Sequence, residues 1–196
     1  MRNDFEDGGG EGAGASDSLR GGAFTLVELL VVMAVVGILS LLAYPAYQRV
    51  IESGRATACT ANLRQLGMAL GLYLGENNQT MPTLKTARGS VGDDLPVIDN
   101  TLDRYLSGGR GVFCCPADRR RLGERSGTSY LWNNTLNGQV LANLNFLGLV
   151  EDLSHIPILS DKEGFHPYMD NKVNILYADG HATKDLQFFT EEPSRK

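Results

Sequence analysis

Between residues 24 and 47 the chain reads Phe-Thr-Leu-Val-Glu-Leu-Leu-Val-Val-Met-Ala-Val-Val-Gly-Ile-Leu-Ser-Leu-Leu-Ala-Tyr-Pro-Ala-Tyr, with Glu28 as its one charge. As a helix rising 1.5 Å per residue the segment extends ~36 Å, more than the ~30 Å hydrocarbon thickness of a bilayer. From Leu29 to Tyr44 no residue is charged and Ser40 is the only polar one. The run is too long for the apolar core of a secretory signal peptide, and no clean Ala-x-Ala cleavage site follows it. A carboxylate in hydrocarbon costs roughly 2.5–3.5 kcal/mol on insertion scales, so Glu28 marks a function and calls for a cation. A new α-amino group, created by cutting the chain before Phe24, would supply one.

The rest of the chain divides around this segment. Residues 1–22 are rich in Gly, Asp, Glu and Ser and cannot bury a core, which predicts disorder. Of the overall charge of −5, residues 1–23 carry −3. The remainder is near neutral, which argues against a general nucleic-acid binder, since that needs a basic face. The basic run Arg119–Arg121 is short and reads as a solvated loop. Pro45 falls inside the predicted helix and is expected to kink it. Beyond Pro45 the pattern turns amphipathic: Val50, Gly54, Ala58, Leu66, Leu70 and Tyr73 recur at spacings of three and four, with one gap near Asn62, while Arg49, Glu52, Arg55, Arg64 and Gln65 occupy other faces. The helix is expected to run to about Leu74 and to lay one stripe on a soluble domain, with Asn77, Asn78 and Pro82 ending it.

Residues 76–110 read as a long loop with a short helix near 102–106. Short strands are predicted at 112–115, 128–132, 156–160 and 172–178, with Tyr130 and Trp132 in the core. Asp179-Gly180 supplies a two-residue turn, and 181–186 returns as the partner strand. The organisation expected is a leader at 1–23, a transmembrane helix at 24–47, its amphipathic continuation at 48–75, a globular domain at 76–190 and a frayed tail at 191–196. The fold class expected is α+β, a long helix on a small antiparallel sheet.

Three cysteines are present, Cys59, Cys114 and Cys115. A bridge between the adjacent pair would be strained, so in an oxidising compartment Cys59 is expected to pair with Cys114 or Cys115, leaving one thiol. No Cys-x-x-Cys pair favours zinc. No Gly-x-Ser-x-Gly, His-Glu-x-x-His or phosphate-loop motif occurs, and the chain is not read as an enzyme. His155, His166 and His181 lie near Asp161, Asp170 and Asp179 in sequence, which makes His166, Asp179 and His181 the metal candidates; the simpler reading of Asp179-Gly180 is a turn.

The segment Ala23-Phe24-Thr25-Leu26-Val27-Glu28-Leu29-Leu30-Val31-Val32 resembles the processing site of type IV pilins and type II secretion pseudopilins. In that family a prepilin peptidase cuts before the Phe and usually methylates the new amine. The family's glutamate lies four residues after the cut, where Glu28 stands, and its helix-kinking proline corresponds to Pro45. Ala23 replaces the usual Gly before the cut, and the leader is acidic where family leaders are usually basic. Cys59-Thr60-Ala61-Asn62-Leu63-Arg64-Gln65-Leu66-Gly67, Phe113-Cys114-Cys115-Pro116-Ala117-Asp118 and Ser129-Tyr130 look like a pseudopilin-like group of environmental bacteria. The ending Asn174-Ile175-Leu176-Tyr177-Ala178-Asp179-Gly180-His181 is similar to that group's His-x9-Asp-Gly ending, though twelve residues, not nine, separate His166 from Asp179. The resemblance implies a Cys59–Cys115 disulfide.

It further implies a pilin-like structural subunit of the bacterial inner membrane, single-pass, with its C-terminal domain in the periplasm. Its partners would be prepilin peptidase, other pilin or pseudopilin subunits, and a secretion or pilus assembly machinery, with no nucleic acid. No cofactor is expected; calcium, which major pseudopilins bind in C-terminal loops, is the one ion the resemblance raises, with Asp179 and Asp185 as donors. In this reading Glu28 pairs with the amine of Phe24 in a neighbouring subunit and sets the axial register, while Leu26, Leu29, Val32, Val36 and Leu39 pack the filament core. The alternative is a membrane-anchored periplasmic binding or enzymatic domain that uses this anchor without forming a filament.

Overall fold

The computed structural model of the protein describes residues 25–166 and 173–184, and the chain forms two compact units, residues 1–43 and 44–196. One helix, α1 (Leu26–Glu76), supplies the described helix of the first unit and opens the second. In the first unit every large apolar side chain from Leu26 to Leu42 is at least about half exposed, from 49% at Val35 to 79% at Leu26. The helix is long and apolar enough to cross a membrane. Pro45 lies within it without ending it.

In the second unit α1 buries Glu52, Ala56, Cys59, Thr60, Leu63, Leu66, Ala69, Leu70 and Leu74. These positions recur every three or four residues, the spacing of one helical face. The stripe differs from the one expected at its membrane-proximal end. Val50 is 69% exposed, Gly54 meets nothing, and Glu52, expected on another face, is fully buried. The face is dictated by Cys59, and stepping back from it in threes and fours lands on Ala56 and Glu52. The glutamate tolerates burial because Oε1 accepts from Arg55 Nη1 at 2.9 Å and Arg119 Nη2 at 2.5 Å. Arg119 thus connects the loop to the helix. Arg120 and Arg121 pair with Glu163 and Glu124 and stay exposed, as a solvated loop should.

Against this stripe lies a four-stranded antiparallel sheet in sequential order: β1 (Tyr130–Trp132), β2 (Pro157–Asp161), β3 (Ile175–Tyr177) and β4 (Ala182–Thr183). The fold is α+β and pilin-like, as expected. Strand β3 is buried at all three positions, so both of its faces are covered. Gly67 makes the close approach to α1 feasible: a Cβ there would come within 3.1 Å of Leu176. The turn after β3 follows Asp179-Gly180, with Gly180 at φ +89°. The expected return strand is described only at β4; residues 185 and 186, including the calcium candidate Asp185, lie outside the described residues, as do the tail and Asp170.

Two local expectations are corrected. The segment 112–115 is not a strand: Arg110–Phe113 forms a 3₁₀ turn. Val112 and Phe113 are buried one after the other, which a helical turn permits and a one-sided strand does not. The helix expected near 102–106 is instead α2 (Ile98–Leu102), continued by a 3₁₀ turn at Asp103–Tyr105. Its start is set by Asn100, whose Oδ1 accepts from Val97 N at 3.0 Å. The loop around it still fills the core, with Met81, Leu84, Val97, Ile98 and Leu102 buried.

The last helix, α3 (Leu122–Ser126), ends at Gly127, whose φ is +88°. A Cβ there would collide with the side chains of Asp99 and Arg88, a buried ion pair that also takes in Arg110 at 2.9 Å. Glycine is therefore required at Gly127 both by backbone conformation and by space.

A disulfide joins Cys59 on α1 to Cys115, 56 residues away, with Cα atoms 5.0 Å apart. Closing a loop of that length stabilises the folded state by about 4 kcal/mol in the chain-entropy treatment. The Cys59→Ser/Cys115→Ser variant of the full chain in detergent is expected to lose stability on that order. The fluorescence of Trp132, the chain's one tryptophan and buried in the second unit, reports it during denaturant unfolding. An unchanged unfolding midpoint would show that the bridge does not hold the unit together.

Candidate functional site

The first candidate is the head of α1. Thr25 precedes the first helical residue, and Glu28 lies in the first turn. Glu28 Oε2 accepts from Thr25 N at 2.8 Å and from Thr25 Oγ1 at 2.8 Å, and Glu28 N donates to Thr25 Oγ1 at 3.2 Å. This reciprocal arrangement is a capping box, which satisfies amide donors that the helix itself leaves open. Thr25-x-x-Glu28 is a sequence signature of that motif, and it gives Glu28 a local role besides that of a charge awaiting an amine. The carboxylate therefore already has local donors within its own chain. Ala23 and Phe24, the residues on either side of the expected cut, lie outside the described residues.

The second candidate is a buried polar cluster where α1, β2 and the segment before β3 meet. His166 is 1% exposed, and its Nε2 lies 3.7 Å from Cys115 Sγ and 2.8 Å from Asn174 Nδ2. Asp161 Oδ2 accepts from Asn174 N at 2.8 Å and from Asn174 Nδ2 at 2.9 Å, and sits 3.6 Å from His166 Nε2. Thr60 Oγ1 donates to Asn174 Oδ1 at 3.3 Å. The Asn174 amide thus spends one proton on the carboxylate and the other on the imidazole. Nε2 of His166 accepts that proton in the neutral tautomer that carries its own proton on Nδ1. Burial pushes the Asp161 carboxyl up to about 7, against the lowering effect of its bonds from Asn174. Burial also lowers the basicity of His166, with Glu52 opposing. Burial thus shifts both groups toward their neutral forms, as a dry pocket favours.

His166, Asp179 and His181 do not converge. His181 N donates to Asp179 Oδ1 at 3.0 Å, the ring Nδ1 lies 2.5 Å from the same oxygen, and the ring stacks on Tyr177 with centroids 4.6 Å apart. The Asp-Gly-His ending therefore closes the β3–β4 hairpin. His155 pairs with Asp152 at 2.8 Å. Among the described residues, the cluster with metal-ligand proximity is Cys59, Cys115 and His166, and both of its sulfurs are in the disulfide. Cys114 is the free thiol; burial, then the carboxylates of Asp118, Glu124 and Asp99, push it up, which makes it a poor nucleophile toward the neighbouring bridge.

An exposed apolar helix headed by a capped glutamate, followed by a small disulfide-bonded α+β unit, defines a membrane-anchored, pilin-like protein. Residues 20–44 match the family described as the prokaryotic N-terminal methylation motif, consistent with the type IV pilin and pseudopilin family. No curated protein and no solved structure matches the chain.

Asp161 gives the second unit a signed pH dependence. Its folded pKa of about 7 lies above the unfolded value of 3.8, so the folded state holds the proton more tightly. The stabilisation is complete below the unfolded pKa and is lost as pH rises through 7. His166, lowered on folding, acts in the opposite sense as pH falls below 6.5. Asp161→Asn is expected to remove most of the stability decline between pH 5 and pH 8, measured as the denaturant midpoint of Trp132 fluorescence. A variant that keeps the wild-type decline would assign it to other groups.

Proposed function

We propose that the chain is a pseudopilin-like structural subunit. Prepilin peptidase cuts it before Phe24 and methylates the new amine, and the product joins an inner-membrane-based type II secretion or type IV pilus-like filament, with the second unit in the periplasm. The observation that carries this reading is the methylation motif at 20–44, whose part from Leu26 onward lies on a helix with its apolar side chains exposed as far as Leu42. Such a surface needs lipid or other apolar helices around it. The Cys59–Cys115 disulfide fits an oxidising compartment outside the cytoplasm.

In this reading Glu28 has two tasks. Within its own chain it caps α1 through Thr25. In the filament it is the one charge of the apolar segment, and the amine of a neighbouring Phe24 neutralises it at a single axial offset. The helix surface of Leu26, Leu29, Val32, Val36 and Leu39 then packs among its copies. The protein is the substrate of a peptidase and itself a building block, not a catalyst. Calcium is not part of this reading, since Asp179 is engaged by His181 in the hairpin turn.

The intact mass and N-terminal residue of the protein from a membrane fraction containing an active prepilin peptidase test the processing step. A chain beginning at Phe24, with one methyl group, is the expected result; a chain retaining residues 1–23 would leave a plain membrane-anchored domain. Glu28→Gln tests the charge apart from the cap, because an amide oxygen still accepts from Thr25. It is expected to insert and be cut normally but to fail in filament assembly, and normal assembly of this variant would overturn the register mechanism.

A further inference from the structure

We propose that a pocket at the start of the second unit binds the phosphate of an anionic phospholipid headgroup. This rests on the membrane-anchored reading and extends it to a specific lipid contact. The pocket, about 670 Å³, is lined by Tyr44, Tyr47, Gln48, Ile51, Arg55 and Arg119. Five of these residues belong to one face of α1, recurring every three or four positions. The sixth, Arg119, is delivered by the loop that follows Cys115, the residue bridged to Cys59.

The charge balance of the pocket favours an anion. Arg55 and Arg119 both donate to a single oxygen, Glu52 Oε1. Two cations against one carboxylate leave a net positive charge, and each guanidinium has five N–H donors of which this contact uses one. The Arg55 and Arg119 side chains are 38% and 59% exposed, whereas the Glu52 side chain is fully buried. An arriving anion therefore meets guanidinium groups and not the carboxylate. Arginine's planar donor fork suits phosphate oxygens.

Position in the chain selects a lipid as the source of that phosphate. Tyr44 is the first residue after the apolar stretch that ends at Ala43, and Tyr44 and Tyr47 are both largely exposed. Tyrosine side chains in that position favour the membrane–water boundary, where an apolar ring and a polar hydroxyl are both accommodated. Arg55 lies eleven residues further on, and helical side chains lean toward the N-terminus, which directs its stem back along the helix toward the tyrosines. Juxtamembrane arginines are attracted to anionic headgroups.

The test uses the full chain in nanodiscs of equal parts phosphatidylglycerol and phosphatidylcholine, with lipid retained on the protein read by native mass spectrometry. Incorporation into discs is scored first; a chain that stays out of them overturns the membrane reading itself. For an incorporated chain, retained phosphatidylglycerol is expected to exceed phosphatidylcholine about fivefold, the effect of one uncompensated cation near an anionic surface. Arg55→Gln/Arg119→Gln is expected to bring the two lipids to parity. Glu52→Gln removes the compensating negative charge while its amide oxygen still accepts from the arginines, and is expected to raise the preference, an increase that misfolding does not produce. The proposal is overturned if the wild-type chain shows parity, if the double arginine variant keeps its preference, or if Glu52→Gln lowers it with unchanged Trp132 emission. Wild-type parity together with poor filament assembly of the arginine variant would assign the pocket to an acidic protein surface instead.

Discussion

The stripe of α1 from Glu52 to Leu74 is the surface on which the second unit is assembled. Cys59 bonds covalently to Cys115, Thr60 reaches Asn174, Gly67 admits Leu176 of β3, and Glu52 holds the loop through Arg119. The sheet is small, with strands of two to five residues, and a sheet of that size has little stability of its own. It persists because one face is laid on a helix and because the loop at 76–110 contributes Met81, Leu84, Ile98 and Leu102 to the same core. Short strands and long loops are tolerable here because the disulfide already restricts the unfolded chain.

Among the described residues three carboxylates are buried, Glu52, Asp99 and Asp161, and each is accommodated in a different way. Glu52 is balanced by two arginines. Asp99 is balanced by Arg88 and Arg110, with Gly127 making room. Asp161 and His166 share the Asn174 amide, and burial shifts both toward their neutral forms, raising the carboxyl to about 7 and lowering the imidazole. The free thiol of Cys114 is held up by burial and then by the surrounding carboxylates, which makes it a poor attacker of the adjacent Cys59–Cys115 bridge.

Much of this architecture was legible in the chain. The apolar run, its length and the change of pattern after Pro45 identified α1 to within two residues at its C-terminal end, because a 51-residue helix leaves a periodic record too long to miss. The strands β1, β2 and β3 and the Asp179-Gly180 turn were legible from β-branched and aromatic clusters bounded by turn residues. The head of the site was legible as well, and the methylation motif at 20–44 covers it. Less visible was the capping role of Glu28, although Thr25 stands three residues before it. The 3₁₀ turn at Val112 and Phe113 was not legible, because two adjacent apolar residues look alike in a strand and in a 3₁₀ turn, and periodicity cannot separate them over four residues.

By itself the sequence determined the elements whose physics is local or one-dimensional: a helix of membrane length, its single charge, its cap, and turns built on Asp, Asn and Gly. Tertiary structure decided which charges go inside. Glu52 reads as solvent-facing until Arg119, 67 residues away, is brought to it. His166 reads as a ligand beside Asp179 and His181 until the fold places it against Cys115, Asp161 and Asn174 and turns Asp179 and His181 toward each other. The reason is that burying a charge or an imidazole is costly or cheap according to the partners that distant segments supply, and no window of sequence contains those partners.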